Sequence, residues 1–116
     1  MPPKHNKYHN KKAIIDGITF QSIKEGQRYS ELKLLKKAGI IKDFTCQPSF
    51  VLQEKYKRID GKAIRDIRYI ADFKVVYPDD RIEYEDVKSP ATLKKESFLI
   101  KRKLLEHKYQ LVLRIT

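Results

Sequence analysis

The chain has 116 residues, 41% hydrophobic and 35% charged, and its 26 Lys and Arg against 15 Asp and Glu give a formal net charge of +11. That length fits one domain, and the charge points to a polyanionic partner, nucleic acid first, through phosphate neutralisation. The single cysteine, Cys46, excludes an intramolecular disulfide and fits a reducing compartment; no apolar run is long enough to span a membrane and no signal-peptide pattern is present, so a cytoplasmic protein without a membrane partner is expected.

Residues 1–12 are polar and basic, with Lys4, Lys7, Lys11 and Lys12 and no acid. They read as a flexible tail that either lies along a nucleic-acid backbone or serves as a disordered solubilising end. His5 and His9 have helical metal-ligand spacing, but nothing around them favours a helix. Residues 13–116 read as a single domain. Its first element is a hairpin, AIIDGITF, with Asp16-Gly17 as a favoured two-residue turn.

Ser22 to Ala38 reads as a helix. Ser22 followed by Glu25 is a capping box, and Gly39 is a stop. Glu25, Tyr29 and Leu32 fall at i, i+4 and i+7 with Leu35 alongside, which turns Glu25 toward the core edge rather than into solvent. A carboxylate there needs a partner, and a metal-bound water is one candidate. A strand is expected over 44–51, interrupted or bent at Pro48. Residues 53–62, carrying Lys55, Lys57, Arg58 and Lys62 around Asp60-Gly61, read as a loop that is either a DNA-facing hairpin tip or an ordinary exposed basic loop.

Two central strands follow, over 64–77 and 82–89, joined by the turn Pro78-Asp79-Asp80. If Tyr77 faces Arg81, the antiparallel register sets Asp72 opposite Asp86, with Cβ atoms about 4.5–5.5 Å apart. Asp86 and Lys88 then share a face, and Val87 points the other way. Like charges so placed are destabilising unless a positive charge lies between them. Mg²⁺ or Mn²⁺, with oxygen ligands at about 2.1 Å, would supply it; a solvated strand face of mixed charges is the competing reading. Ser89-Pro90 opens a second helix running to about His107, with Leu93, Ile100 and Leu104 as its apolar stripe and a strongly basic remainder. Leu111 to Ile115 reads as a last short strand.

The order after the hairpin is helix, three strands, helix, strand. With Glu25 on the first helix, Asp72 on the second strand and Asp86-Val87-Lys88 on the third, it resembles the PD-(D/E)XK nuclease superfamily of restriction enzymes, junction resolvases and phage recombination nucleases. The segments NKYHNKK, FQSIKEGQRYSELKLL, YIADF and EDVKS also look like a small phage- and prophage-encoded family of unknown function. The resemblance implies a restriction endonuclease-like αβββαβ core, a central mixed sheet flanked by helices, preceded here by the hairpin. It implies Glu25, Asp72, Asp86 and Lys88 as catalytic residues. Asp72, Asp86, the Val87 main-chain carbonyl and Glu25 would hold Mg²⁺ or Mn²⁺, and Lys101 matches an auxiliary basic position. The superfamily's proline before the first acid is replaced here by Ala71.

The activity so implied is metal-dependent hydrolysis of DNA phosphodiesters, structure-selective for branched DNA, with a homodimer if two strands are cut at one junction. The competing expectation is a non-catalytic DNA-binding or assembly protein on the same fold. Lys11, Lys12, Lys57, Arg58, Lys94, Lys101 and Lys103 are the residues expected to contact DNA.

Overall fold

A computed structural model of the chain describes residues 11–116. Most of the expected basic tail, with His5 and His9, therefore lies outside the described residues; Lys11 and Lys12 are exposed just ahead of the first strand. The elements are β1 (Ala13–Ile15), β2 (Ile18–Phe20), α1 (Ile23–Lys37), β3 (Asp43–Cys46), β4 (Ser49–Gln53), β5 (Tyr56–Lys57), β6 (Ala63–Ile64), β7 (Ile67–Ile70), β8 (Phe73–Val76), β9 (Ile82–Asp86), α2 (Pro90–Leu93), α3 (Glu96–Tyr109) and β10 (Leu113–Ile115). The architecture is mixed α and β. Its central sheet runs β10-β9-β8-β3, antiparallel except for β10, which lies parallel to β9.

The β1–β2 hairpin turns on Asp16 and Gly17, both at positive φ, as a two-residue turn requires. α1 begins where expected. Ser22 Oγ accepts the Glu25 N–H at 3.1 Å, and the helix ends at Ala38 before Gly39, whose φ is +74°. Glu25, Gly26, Tyr29 and Leu32 are its buried residues. Gly26 has a steric reason: a Cβ there would meet Ile15 Cδ1 at 3.1 Å and Ala13 Cβ at 3.2 Å. The missing side chain lets the hairpin sit close on α1.

The expected bend at Pro48 is present, and it reorganises more of the chain than the sequence suggested. Gln47 takes φ +55° and Pro48 has no N–H to give the ladder. The stretch 64–77, expected as one strand, is split into β6, β7 and β8 opposite this bend. Register nevertheless carries through it. Cys46 pairs with Phe73 and Ser49 with Ile70, while Gln47 N–H donates to Asp72 C=O and Ala71 N–H to Pro48 C=O. A bulge between Val51 and Gln53 shifts the register, which then continues into Tyr56↔Ile64 and Lys57↔Ala63. Residues 43–76 are thus one long bent ribbon, its inner end in the central sheet, its middle against α3 and its outer end an arm. Residues 53–62, read as a loop, are largely the arm's end. Lys108 Nζ and Tyr109 Oη, each 2.8 Å from the Val51 carbonyl, satisfy the backbone at the bulge.

The pleat divides the core in two. Phe73 and Val75 pack with Phe20, Tyr29, Leu32 and Ile41 beneath α1. Tyr69, Ala71, Phe50 and Leu113 pack with Phe98 and Leu105 of α3. The expected single helix from Pro90 is broken at Lys94-Lys95, and the expected stripe of Leu93, Ile100 and Leu104 is not what faces the core. Phe98 and Leu105 are buried, whereas Ile100 and Leu104 are 51% and 47% exposed. Leu93 and Phe98 both reach the second core. In a continuous helix they would point about 140° apart, at 100° per residue. The break resets the phase and resolves that conflict. Arg102 lies on the inner side of α3, where Nη2 donates to Leu113 C=O at 3.0 Å, and Glu106 accepts the Leu113 N–H at 2.8 Å.

One buried ion pair joins α1 to the sheet. Arg28 grips Glu85 in bidentate fashion, Nε–Oε1 2.6 Å and Nη2–Oε2 2.9 Å, and Glu85 is fully buried. The carboxylate beside it raises the Arg28 pKa further. Removing one partner strands the other's charge. Arg28→Met is expected to lower stability by about 3–5 kcal/mol, and Glu85→Met added to it is expected to recover most of that loss. Urea unfolding of the singles and the double measures the coupling, and additive losses would show that the pair does not anchor α1.

Candidate active site

Site geometry follows from the β8–β9 hairpin. Tyr77 N–H donates to Arg81 C=O and Asp80 N–H to Tyr77 C=O, with Asp80 at φ +68°. This three-residue turn fixes the pairing Val76↔Ile82 through Phe73↔Glu85. The next step along the same register brings Asp72 to Asp86, as the sequence reading required.

The two aspartates brace each other through the backbone. Asp72 N–H donates to Asp86 Oδ1 at 2.8 Å, and Val87 N–H donates to Asp72 Oδ2 at 2.7 Å. Tyr69 Oη donates to Asp86 Oδ2. Lys88 Nζ lies 3.8 Å from the same oxygen and 5.6 Å from the centre of the Phe98 ring. From the first turn of α1, Glu25 closes the group, close enough to interact with Asp72, Asp86 and Lys88. Asp86 is fully buried and Glu25 is 4% exposed. Beside them opens a cleft of about 300 Å³ lined by Gln21, Ser22, Lys24, Glu25, Asp72, Val87, Lys88, Ser89 and Thr92. A larger cavity, of about 620 Å³, lies elsewhere, around Phe50, Tyr84 and Tyr109, and holds none of these acids.

All three carboxyls are held above their ordinary range. Burial pushes Asp72 up to about 7, and the charges of Asp86 and Glu25 add to the shift, against the opposing Val87 N–H and Lys88. Burial also raises Asp86, opposed by Tyr69 and Lys88. It raises Glu25 as well, opposed by the Gln21 backbone and Lys88. The cluster is short of positive charge. A hard divalent cation with oxygen preference suits this donor set, although among the described residues no three His, Cys, Asp or Glu side chains form a closed metal cage. Both Asp86 oxygens face protein donors, so an ion would bind at the Asp72–Glu25 side of the group.

The structure therefore brings together Glu25, Asp72, Asp86, Val87 and Lys88. The residues expected to contact DNA stand apart, and none lines the cleft. Lys57 and Arg58 are on the arm, Arg58 paired with Asp60 at 2.6 Å. Lys94 caps α2, and Lys101 and Lys103 are exposed on α3. The family model that matches the chain, over residues 5–115, is described as a protein of unknown function, DUF1064. The chain belongs to the DUF1064 family. No curated protein and no solved structure matches it.

Several parts of this DUF1064 site were not foreseen in the sequence. Tyr69 is the chief one. Strict alternation sets Tyr69 and Asp72 on opposite faces of a strand, but the bend at Ala71-Asp72 breaks the phase. Tyr69 and Ala71 consequently join the α3 core while Phe73 joins the α1 core. Phe98, beneath Lys88, was hidden by the helix break. The only available signal was its position in a basic helix.

The raised Asp72 pKa has a consequence for stability. A folded value of about 7 against an ordinary 3.8 means that the folded chain holds this proton through that interval while the unfolded chain releases it. The contribution of Asp72 therefore becomes unfavourable as pH rises from about 4 to 7. Asp72→Asn keeps an acceptor for the Val87 N–H and carries no charge. In EDTA it is expected to be more stable than wild type by roughly 1–3 kcal/mol at pH 8 and little different at pH 4. Thermal unfolding at the two pH values tests this; a pH-independent difference would mean that Asp72 is not held protonated.

Proposed function

We propose that the chain is a metal-dependent DNA endonuclease of the PD-(D/E)XK type, built on a restriction endonuclease-like core and cutting branched DNA in phage replication or recombination. The observation that carries this reading is the convergence of Asp72 and Asp86 across one hairpin with Lys88 two residues on and Glu25 entering from α1. The order of elements supports it: α1, three sheet segments, helix, then β10 parallel to β9.

Asp72, Glu25 and the Val87 main-chain carbonyl, with Asp86 behind them, would hold Mg²⁺ or Mn²⁺. A cation so held would supply Lewis-acid activation of a water and of the scissile phosphate. Lys88 orients the attacking water and stabilises the extra negative charge on the phosphoryl oxygens. The water oxygen bonds to phosphorus, the P–O bond to the leaving sugar oxygen breaks, and the water's protons go to solvent and to the departing oxygen. Tyr69 and Asp72 N–H keep the Asp86 carboxylate fixed while this happens. Burial of the cluster raises each electrostatic interaction above its value in water.

A second reading, a non-catalytic DNA-binding protein on the same fold, draws on the engagement of both Asp86 oxygens by protein donors. Cleavage of a labelled panel (four-way junction, flap, duplex, single strand) with Mg²⁺, Mn²⁺ or EDTA separates the two. Metal-dependent cutting is expected, lost in Asp86→Asn and lowered about 10²–10³-fold in Lys88→Met, with circular dichroism checking that both variants are folded at the assay temperature. Folded protein that binds DNA and cuts nothing on the panel would establish the second reading.

A further inference from the structure

The end of the long ribbon, β5 and β6 with the turn between them, contributes no residue to either core and does not line the cleft. Its tip repeats the geometry of the β8–β9 turn. Gly61 N–H donates to Arg58 C=O and Arg58 N–H to Lys62 C=O, and Gly61 takes φ +90°. This is a type I turn followed by a left-handed residue. Pro78 occupies the first central position of the inner turn; at the tip of the arm the same position is Ile59, fully exposed at 104%. A bidentate Arg58–Asp60 pair at 2.8 and 2.6 Å, with Lys62 N–H also donating to Asp60, braces the turn around it. The isoleucine is thus held outward on a stiff tip, burying nothing of its own chain. Around it Lys55, Lys57, Lys62 and Arg65 are exposed and have no acidic partner among the described residues, against one such acid, Glu54. Tyr56, 48% exposed, lies opposite Ile64 on one face.

A two-stranded ribbon fits a DNA groove, and apolar side chains inserted between base steps are how groove-binding proteins kink duplexes. We propose that the arm is a DNA wedge. Lys55, Lys57, Lys62 and Arg65 neutralise phosphates along a groove, and Ile59 inserts at a base step. Because unstacking costs free energy, insertion is favoured where stacking is already interrupted, at a branch point or nick. The occupant is DNA rather than a second copy of the chain, since two like-charged arms repel. Beyond the bulge the arm keeps one register from Gln53↔Ile67 to Tyr56↔Ile64 and Lys57↔Ala63, so it continues the ribbon whose inner end carries Ala71 and Asp72. The proposal deepens the nuclease reading by naming what selects the substrate, and rests on it for the DNA partner.

The test is binding in EDTA, where cutting cannot interfere, of a fluorescent four-way junction and an intact duplex of the same sequence. The full chain is compared with Ile59→Ala and with a Lys55→Ala, Lys57→Ala, Lys62→Ala, Arg65→Ala variant. Ile59 packs on nothing, so its substitution is expected to leave the thermal midpoint unchanged. It should cut the junction-over-duplex preference roughly tenfold and abolish the fluorescence rise of 2-aminopurine placed at the branch point. The quadruple variant is expected to weaken binding to both DNAs and reduce the log–log salt slope by about 3–4. An unchanged preference and 2-aminopurine signal in Ile59→Ala would overturn the wedge, as would absence of DNA binding by wild type. A shift from dimer to monomer in Ile59→Ala sedimentation, with DNA binding unaltered, would assign the tip to self-association and overturn it too. A wild type that cuts nothing yet loses its preference in Ile59→Ala would remove the nuclease reading and leave the wedge standing.

Discussion

Asp72 and Asp86 hold each other in place through one another's backbone, and most of the structure serves to make that possible. Each carboxylate accepts from a main-chain N–H on the opposite strand, Asp86 from Asp72 and Asp72 from Val87. Such bonds depend on register, so a slip of one residue would undo both and turn the side chains to the other face. Register in turn depends on the tight turn at Pro78-Asp79-Asp80 at one end of the hairpin. At the other end, the α1 core holds Phe73 and Val75 of β8 while Tyr84 of β9 packs against the α3 core. The Arg28–Glu85 pair belongs to the same arrangement. Glu85 immediately precedes Asp86 and points to the opposite face, where α1 neutralises it. That pair also fixes the azimuth of α1, so that Glu25, less than one turn earlier, enters the cluster. One buried acid is fully neutralised so that its neighbours can remain under-neutralised.

The bend at Gln47-Pro48 does for the other half of the molecule what the turn does for the hairpin. Without it, β7 and β8 would be one strand with a single phase, and Tyr69 could not face the same side as the acid it positions. With it, one ribbon contributes to two cores and then leaves the body as an arm. Proline and a left-handed glutamine are a compact way to break a ladder while keeping the pairing partners matched on either side.

The parts of the fold legible in the sequence were those governed by local rules. The Asp16-Gly17 turn, the Ser22 cap, the Gly39 stop and the register of the central hairpin depend on residues within a few positions of one another. So did the burial of Glu25, which needed only helical periodicity. The parts that were not legible depend on competition between distant groups. Nothing local marks the break at Lys94-Lys95, because neither Gly nor Pro stands there; it arises from Leu93 and Phe98 both needing the same core. The apolar stripe misled for the same reason, since Ile100 and Leu104 continue a phase that the break abandons. Residues 53–62 read as a loop because two-residue strands such as β5 and β6 leave too little alternation to detect. Of the site, the acids and the lysine were legible as types at a spacing, whereas Tyr69, Phe98 and the Arg28–Glu85 support required knowing which face each segment turns inward.

Charge runs in opposite directions at the centre and at the periphery. The chain carries +11 overall, yet its cleft is walled by Glu25 and Asp72, with Asp86 buried beside them, next to Lys24 and Lys88. The proposed polyanionic partner would be drawn to the surface by the excess of lysine and arginine, and a phosphate entering the cleft would then meet buried acids. Protonation or a bound cation can relieve that repulsion, and the two differ in consequence. A proton on Asp72, whose pKa burial pushes up to about 7, removes one negative charge and adds no positive one. A divalent cation, if the proposed chemistry holds, would leave a positive centre adjoining Lys88 and reverse the sign that a phosphate would encounter. The same desolvation that makes the metal-free cluster costly makes a cation there more attractive than it would be in water. Burial of these acids is therefore the feature that links the stability of the chain to the chemistry proposed for it.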